Sequence, residues 1–173
     1  MTKNELKIKA SKIKLVLTDV DGVLTDTGVY YSNKGEQLKR FSIRDGMGVE
    51  RLRELVNIPT GIITGENSGT VSKRAEKLKI TELYLGVKEK HKIFREILAK
   101  NKINAENVAF IGDDMNDYEL IKIVGLSAAP SDAIDKIKEI VNFVCINKGG
   151  QGAFRDLAEF IISCNKEKLK YTY

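Results

Sequence analysis

The chain has 173 residues, 42% hydrophobic and 31% charged, a balance that supports one good core and so a single domain over 1–173. Residues 1–12 are polar and lysine-rich, with no apolar core of a signal peptide, and no later run approaches membrane-spanning length, so a cytoplasmic protein without a membrane partner is expected. The net charge of +5 comes from lysines scattered among glutamates rather than from a basic block, which argues against nucleic acid but leaves a field that steers an anionic small molecule.

The first strong signal is the stretch 13–26, IKLVLTDVDGVLTD. Its branched apolar run predicts a buried strand that ends at Asp19 and Asp21, followed by Gly22, where the chain turns away. Residues i and i+2 point the same way from extended backbone, so both carboxylates address one small site. Two bare carboxylates that close repel each other, and a divalent cation relieves the repulsion. Oxygen ligands without a nearby Cys or His favour Mg²⁺.

Two β-prone runs, 28–31 and 36–41, flank the turn-forming group 32–35 and predict a hairpin over about 28–41. A two-stranded ribbon is barely stable alone, so it is expected to serve as a flap or an oligomer contact. Next come Arg44, Asp45 and Gly46 at the mouth of a helix running to about residue 56. An arginine beside accessible backbone N–H groups suits an anionic or hydroxyl-rich ligand, whereas the plainer reading makes Asp45 the helix cap and Arg44 a surface residue.

A second core strand over 58–64 ends in Thr64 and Gly65, whose hydroxyl and backbone N–H are donors suited to phosphate oxygens. Asn67 or Ser68 then caps a helix to about residue 79, with Arg74 and Lys77 three apart on one face. A short strand over 83–85 precedes a helix over 88–100. Lys90 stands near the start of that helix, where the helix dipole disfavours a cation, so an anionic ligand there makes sense of it.

The run 108–117, VAFIGDDMND, repeats the opening logic: an apolar strand, a glycine, then carboxylates leading into a helix to about residue 124. One such residue suffices for a cap and here there are four, so a third metal ligand among them is the better reading. Short strands over 126–128 and 143–145, a helix over 132–140, a glycine-rich loop over 149–152, a last helix over 153–163 and a polar tail over 165–173 complete the alternation. The fold class is α/β, a doubly wound and mainly parallel sheet. Cys145 and Cys164 lack CxxC spacing and His91 sits among lysines; none is given a role.

The set Asp19-Val-Asp21-Gly, Thr64-Gly65, Lys90 and Gly112-Asp113-Asp114-Met-Asn-Asp117, in this order and on these elements, resembles the four motifs of the haloacid dehalogenase superfamily phosphatases. The segments DGVLTD, GEQLKRF, RDG at 44–46 and GGQGAFR ending at Arg155 resemble the capless branch that contains 3-deoxy-D-manno-octulosonate 8-phosphate phosphatases. The resemblance implies an Mg²⁺-dependent phosphatase of a 3-deoxy-2-ulosonate phosphate, in lipopolysaccharide or sialic acid biosynthesis. Asp19 would be the nucleophile and Asp21 the general acid and base. Mg²⁺ would be held by Asp19, the Asp21 carbonyl and Asp113, with Asp114 and Asp117 behind them, and the phosphoryl group by Thr64, Gly65 and Lys90. It further implies a homotetramer in which hairpins pair and a neighbour's Arg155 closes the site. Glu50 and Glu66 stand where octulosonate phosphatases carry arginines, and Glu66 with Arg74 and Lys77 looks like the branch acting on nine-carbon sugars. Similar domains fused to cytidylyltransferases supply the alternative, a non-catalytic oligomerisation module.

Overall fold

The computed structural model describes residues 1–165. Six short strands form one wholly parallel sheet: β1 (Leu15–Thr18), β4 (Thr60–Ile63), β5 (Glu82–Tyr84), β6 (Val108–Ile111), β7 (Leu126–Ala129) and β8 (Phe143–Val144), in the order β5-β4-β1-β6-β7-β8. The intervening β2 (Thr25–Ser32) and β3 (Gly35–Phe41) pair with each other as a separate antiparallel ribbon.

Why the strands read as continuous apolar runs is plain from their burial, since both faces are covered. Val16, Ile62, Ala109, Ile111 and Ala128 point to one face, where they meet residues of α1 (Lys3–Ser11), α2 (Ile43–Val56), α3 (Gly69–Leu78) and α7 (Ala153–Cys164), among them Leu52, Val71 and Phe154. Leu15, Leu17, Ile63, Val108 and Phe110 point to the other, against Phe94 and Ile97 of α4 (Lys90–Asn101), Leu120 of α5 (Tyr118–Ile121) and Ile137 of α6 (Asp135–Lys138). Each buried Val, Leu, Ile or Phe side chain among them contributes about 1.5–3 kcal/mol, and the period of two along the strands assigns it to a layer.

From β1 the chain winds outwards through β4 and β5, then returns to the other side of β1 with β6. The reversal falls between β1 and β6, and the crevice beyond their carboxyl ends is where such a sheet binds ligands. Asp19 follows β1 directly, and Asp113 follows β6 after a single glycine.

Several boundaries depart from expectation for visible reasons. Residues 3–11, which carry no apolar stripe, form α1 because Thr2 and Glu5 make a capping box: the Thr2 hydroxyl accepts from Glu5 N at 3.2 Å and Glu5 accepts from Thr2 N at 2.7 Å. The cap of α2 is Ser42, not Asp45, and that of α3 is Ser68. The helix expected to reach residue 124 is a 3₁₀ turn, Met115–Asp117, followed by the single turn of α5. The helix expected over 132–140 shrinks to α6, since Asp132 accepts from Gly149 N at 2.9 Å and is held by that loop. Of the tail expected over 165–173, Asn165 is buried and donates to the carbonyls of Ala10 and Ile161, while the rest lies outside the described residues.

Candidate active site

The turn after β1 is wound tightly, with Leu24 N and Thr25 N both donating to the Val20 carbonyl. Gly22 is required twice over: its φ of +86° lies in the left-handed region, and a Cβ there would collide with the Asp113 carboxylate. Gly112 is needed likewise, because a Cβ would displace the carboxylate of Asp117. Two glycines thus let the acidic residues from β1 and β6 close on one point.

At that point Asp19, Asp113 and Asp117 each offer a carboxylate oxygen within 4.8 Å of the others. Lys90, the first residue of α4, enters from below with its side chain 1% exposed, its Nζ 2.7 Å from Asp19 Oδ2 and 2.5 Å from Asp117 Oδ1. Asp117 is fully buried and both its oxygens are engaged, the second accepting from Asp113 N at 3.0 Å, so it supports the cluster from behind. Asp19 and Asp117 thus place anions beside this helix-start lysine. Asp19 Oδ1 accepts from Val20 N at 2.7 Å.

Among the described residues the charges do not balance: three carboxylates face one ammonium. Burial, then the charges of Asp19, Asp117 and Asp114, push the Asp113 carboxyl up to about 8. Burial and then Asp19 also raise Asp117, against the pull of Lys90. Burial opposes the charge on Lys90, but Asp19 and Asp117 more than offset it and hold that ammonium above the ordinary lysine value. A cluster short of positive charge, built of hard oxygen donors and open to a cleft, fits a divalent cation.

The cleft above it, of about 450 Å³, is lined by Asp19, Asp21, Thr27, Thr64, Gly65, Glu66 and residues 113–116. Thr64 is held at the end of β4 by Thr64 N donating to the Tyr84 carbonyl and by Val87 N donating to its own. The carboxylate of Asp21 lines the cleft but stands outside that three-residue cluster. Its Oδ1 accepts from Thr25 Oγ1 at 3.2 Å and its Oδ2 from Lys39 Nζ at 2.5 Å.

The sugar-contacting set expected from the sequence is not gathered in this cleft within one chain; only Glu66 lies there. Asp45 is buried and accepts from Gly152 N at 3.1 Å and Arg155 N at 3.0 Å, capping α7 from across the interface with α2. Its burial raises its carboxyl, and those N–H groups pull it back part of the way. Gly46 packs beneath Arg74, and Arg44 is exposed on α2. Arg74 donates to the Ser42 carbonyl at 2.9 Å and lies over the Phe41 ring. Lys77 lines a separate, open groove with Lys39, Lys73 and Arg74 between hairpin and α3. Arg155 donates to Glu159 at 2.7 Å.

Two features of the site go beyond the sequence reading. Thr27 lines the cleft at the root of the hairpin, and no pattern marks it. Lys39 carries a signal in retrospect: strand alternation puts it in the inward register of Phe41, while Leu38 and Arg40 face out.

A haloacid dehalogenase-like hydrolase profile matches residues 60–155, and the chain belongs to that family. Within it, the chain falls with the 3-deoxy-D-manno-octulosonate 8-phosphate phosphatases and is a phosphoric monoester hydrolase. It is 40% identical over 154 residues to the enzyme of that name, KdsC, from Yersinia pestis, covering 89% of this chain and 82% of the relative. The crystal structure of the Yersinia pestis phosphatase superposes with a TM-score of 0.91 at 37% identity, over 96% of this chain and 90% of the other. That of the Moraxella catarrhalis phosphatase, solved with a magnesium ion, a phosphate ion and a KDO molecule, gives 0.92 at 30% identity, over 96% and 95%. No helix among the described residues is long and apolar enough to cross a membrane.

Proposed function

We propose that the protein is a cytoplasmic, Mg²⁺-dependent phosphatase that hydrolyses 3-deoxy-D-manno-octulosonate 8-phosphate through a phosphorylated Asp19. The observation that carries this reading is the charge-deficient cluster of Asp19, Asp113 and Asp117 on Lys90, placed beneath a cleft edged by Thr64 and Gly65. Asp19, Asp113 and the main-chain carbonyl of Asp21 would hold Mg²⁺, with Asp114 and Asp117 behind them. Bound there, the ion neutralises charge on carboxylates and phosphate alike. The Asp19 carboxylate attacks phosphorus as the bond to the sugar oxygen breaks, and Asp21 delivers a proton to the departing alkoxide. Asp21, now ionised, takes a proton from water, which attacks the aspartyl-phosphate, frees inorganic phosphate and restores Asp19. Thr64, Gly65 and Lys90 hold the phosphoryl oxygens during both transfers.

The same reading includes a homotetramer. Tyr30, Tyr31 and Leu38 on the hairpin are each more than half exposed, an apolar surface suited to pairing with other hairpins. A neighbour could then bring Arg155 and the basic groove of Arg74 and Lys77 to a cleft that one chain leaves open. A non-catalytic module would have no need of the matched cluster around Lys90.

One observation keeps a nine-carbon ulosonate 9-phosphate as a second reading: Glu66 lines the cleft, where a carboxylate accepts hydroxyl hydrogen bonds but repels the substrate's own carboxylate. Each hydroxyl contact contributes about 0.5–1.5 kcal/mol net, so discrimination between chain lengths should be moderate. Comparing kcat/KM for both substrates in wild type and Glu66→Arg decides. Wild-type preference for the eight-carbon ester, unaltered by the substitution, removes Glu66 from substrate choice; preference for nine carbons, reversed by it, establishes the second reading.

A further inference from the structure

Lys39 is a cation on a solvent-projecting ribbon, yet its side chain is only 1% exposed. Its Nζ lies 2.5 Å from Asp21 Oδ2 and 3.5 Å from Glu36 Oε2. Glu36 in turn accepts from the hydroxyls of Ser68, the cap of α3, and of Thr70, the latter at 2.9 Å. With Thr25 Oγ1 on the other oxygen of Asp21, the carboxylate has a partner on each side and one orientation.

The ribbon does not need this arrangement. An apolar residue at position 39, in the inward register of Phe41, would anchor β3 without burying charge. The connection runs instead from the acid/base residue through Lys39 and Glu36 of the hairpin to the start of α3.

We propose that Lys39 is a positioning residue for Asp21: its ammonium, itself held by Glu36, fixes the rotamer from which Asp21 passes a proton to the leaving sugar oxygen. This rests on the acid/base reading of Asp21 given above. Lys39 touches neither phosphoryl group nor sugar in that scheme. It acts by keeping the carboxylate within hydrogen-bond reach of the bridging oxygen, where small displacements are costly.

The test exploits the leaving group. A sugar alkoxide departs only with a proton, whereas nitrophenolate departs readily without one, and kcat/KM reports steps only up to that departure. Asp21→Asn should lower kcat/KM for octulosonate 8-phosphate by about 10²–10⁴-fold and that for p-nitrophenyl phosphate far less. Lys39→Met should show the same selectivity, about 10–100-fold against less than about threefold, and Lys39→Arg should regain most of the loss. Mg²⁺ titrations and thermal unfolding of the same proteins establish that the site is folded. Should Lys39→Met not fold, Glu36→Gln replaces it, with a smaller selective loss expected. Equal losses on the two esters, or no loss on the sugar phosphate, while Asp21→Asn remains selective, would overturn the role of Lys39 alone. An unselective Asp21→Asn would overturn the acid/base reading, and the role of Lys39 with it.

Discussion

Replacing Lys90 by methionine keeps the length of the side chain and removes the cation that faces three carboxylates. Lys90 Nζ lies 2.7 Å from Asp19 and 2.5 Å from Asp117, with all three side chains nearly inaccessible. Deleting one partner from such a buried group leaves uncompensated charge and costs about 3–5 kcal/mol. For a chain of this size each kcal/mol lowers Tm by about 2–4 °C, so a drop of about 6–20 °C is expected in the metal-free protein. The loss should depend on pH. Asp113, already pushed up to about 8, and Asp117, also raised, take up protons as pH falls and relieve the mutant of its excess charge. Differential scanning fluorimetry at pH 5.5 and 9 should therefore show a larger deficit at pH 9, and saturating Mg²⁺ should reduce it. A Tm loss below about 2 °C, or one equal at the two pH values, would refute the view that Lys90 neutralises a strained acidic cluster.

Three further outcomes follow from the geometry. Because the Asp113 carboxyl sits far above its unfolded value of 3.8, the folded metal-free protein holds an extra proton between about pH 4 and 8, so stability from this group is lost as pH rises through that window. Calorimetry in buffers of different ionisation enthalpy should then find about one proton released per Mg²⁺ bound near pH 6.5 and little above pH 9. Asp45→Ala removes the cap of α7 and leaves the N–H groups of Gly152 and Arg155 without their acceptor; chemical denaturation should show a loss of about 1–3 kcal/mol, with kcat retained in the folded fraction. Light scattering should find a tetramer, and Arg155→Ala should raise KM without dissociating it; a fully active monomer would contradict both.

Much of the frame is legible in the sequence because a parallel sheet covered on both faces leaves an unmistakable mark. The runs LVL at 15–17 and VAFI at 108–111 admit no solvent-facing reading, and each ends in carboxylates at the edge where ligands bind. The motif residues Asp19, Thr64 and Asp113 are legible for the same reason, since strand ends place them. Helix boundaries are less so: α1 depends on a capping box rather than an apolar stripe, and the turn after β6 is tightened by Asp114 accepting from Met115 N. Least legible are partners distant along the chain. Asp45 caps α7 across 107 and 110 positions, and Lys39 reaches Asp21 across 18. Local spacing contains neither contact, because both arise only when elements pack.

The most direct test is phosphate release from 3-deoxy-D-manno-octulosonate 8-phosphate by wild type and by Asp19→Asn, each with Mg²⁺ and with excess chelator. Turnover by wild type with Mg²⁺ alone, and a folded but inactive Asp19→Asn protein, are the expected results. Undiminished release by Asp19→Asn, or by wild type in chelator, would contradict both the nucleophile and the metal.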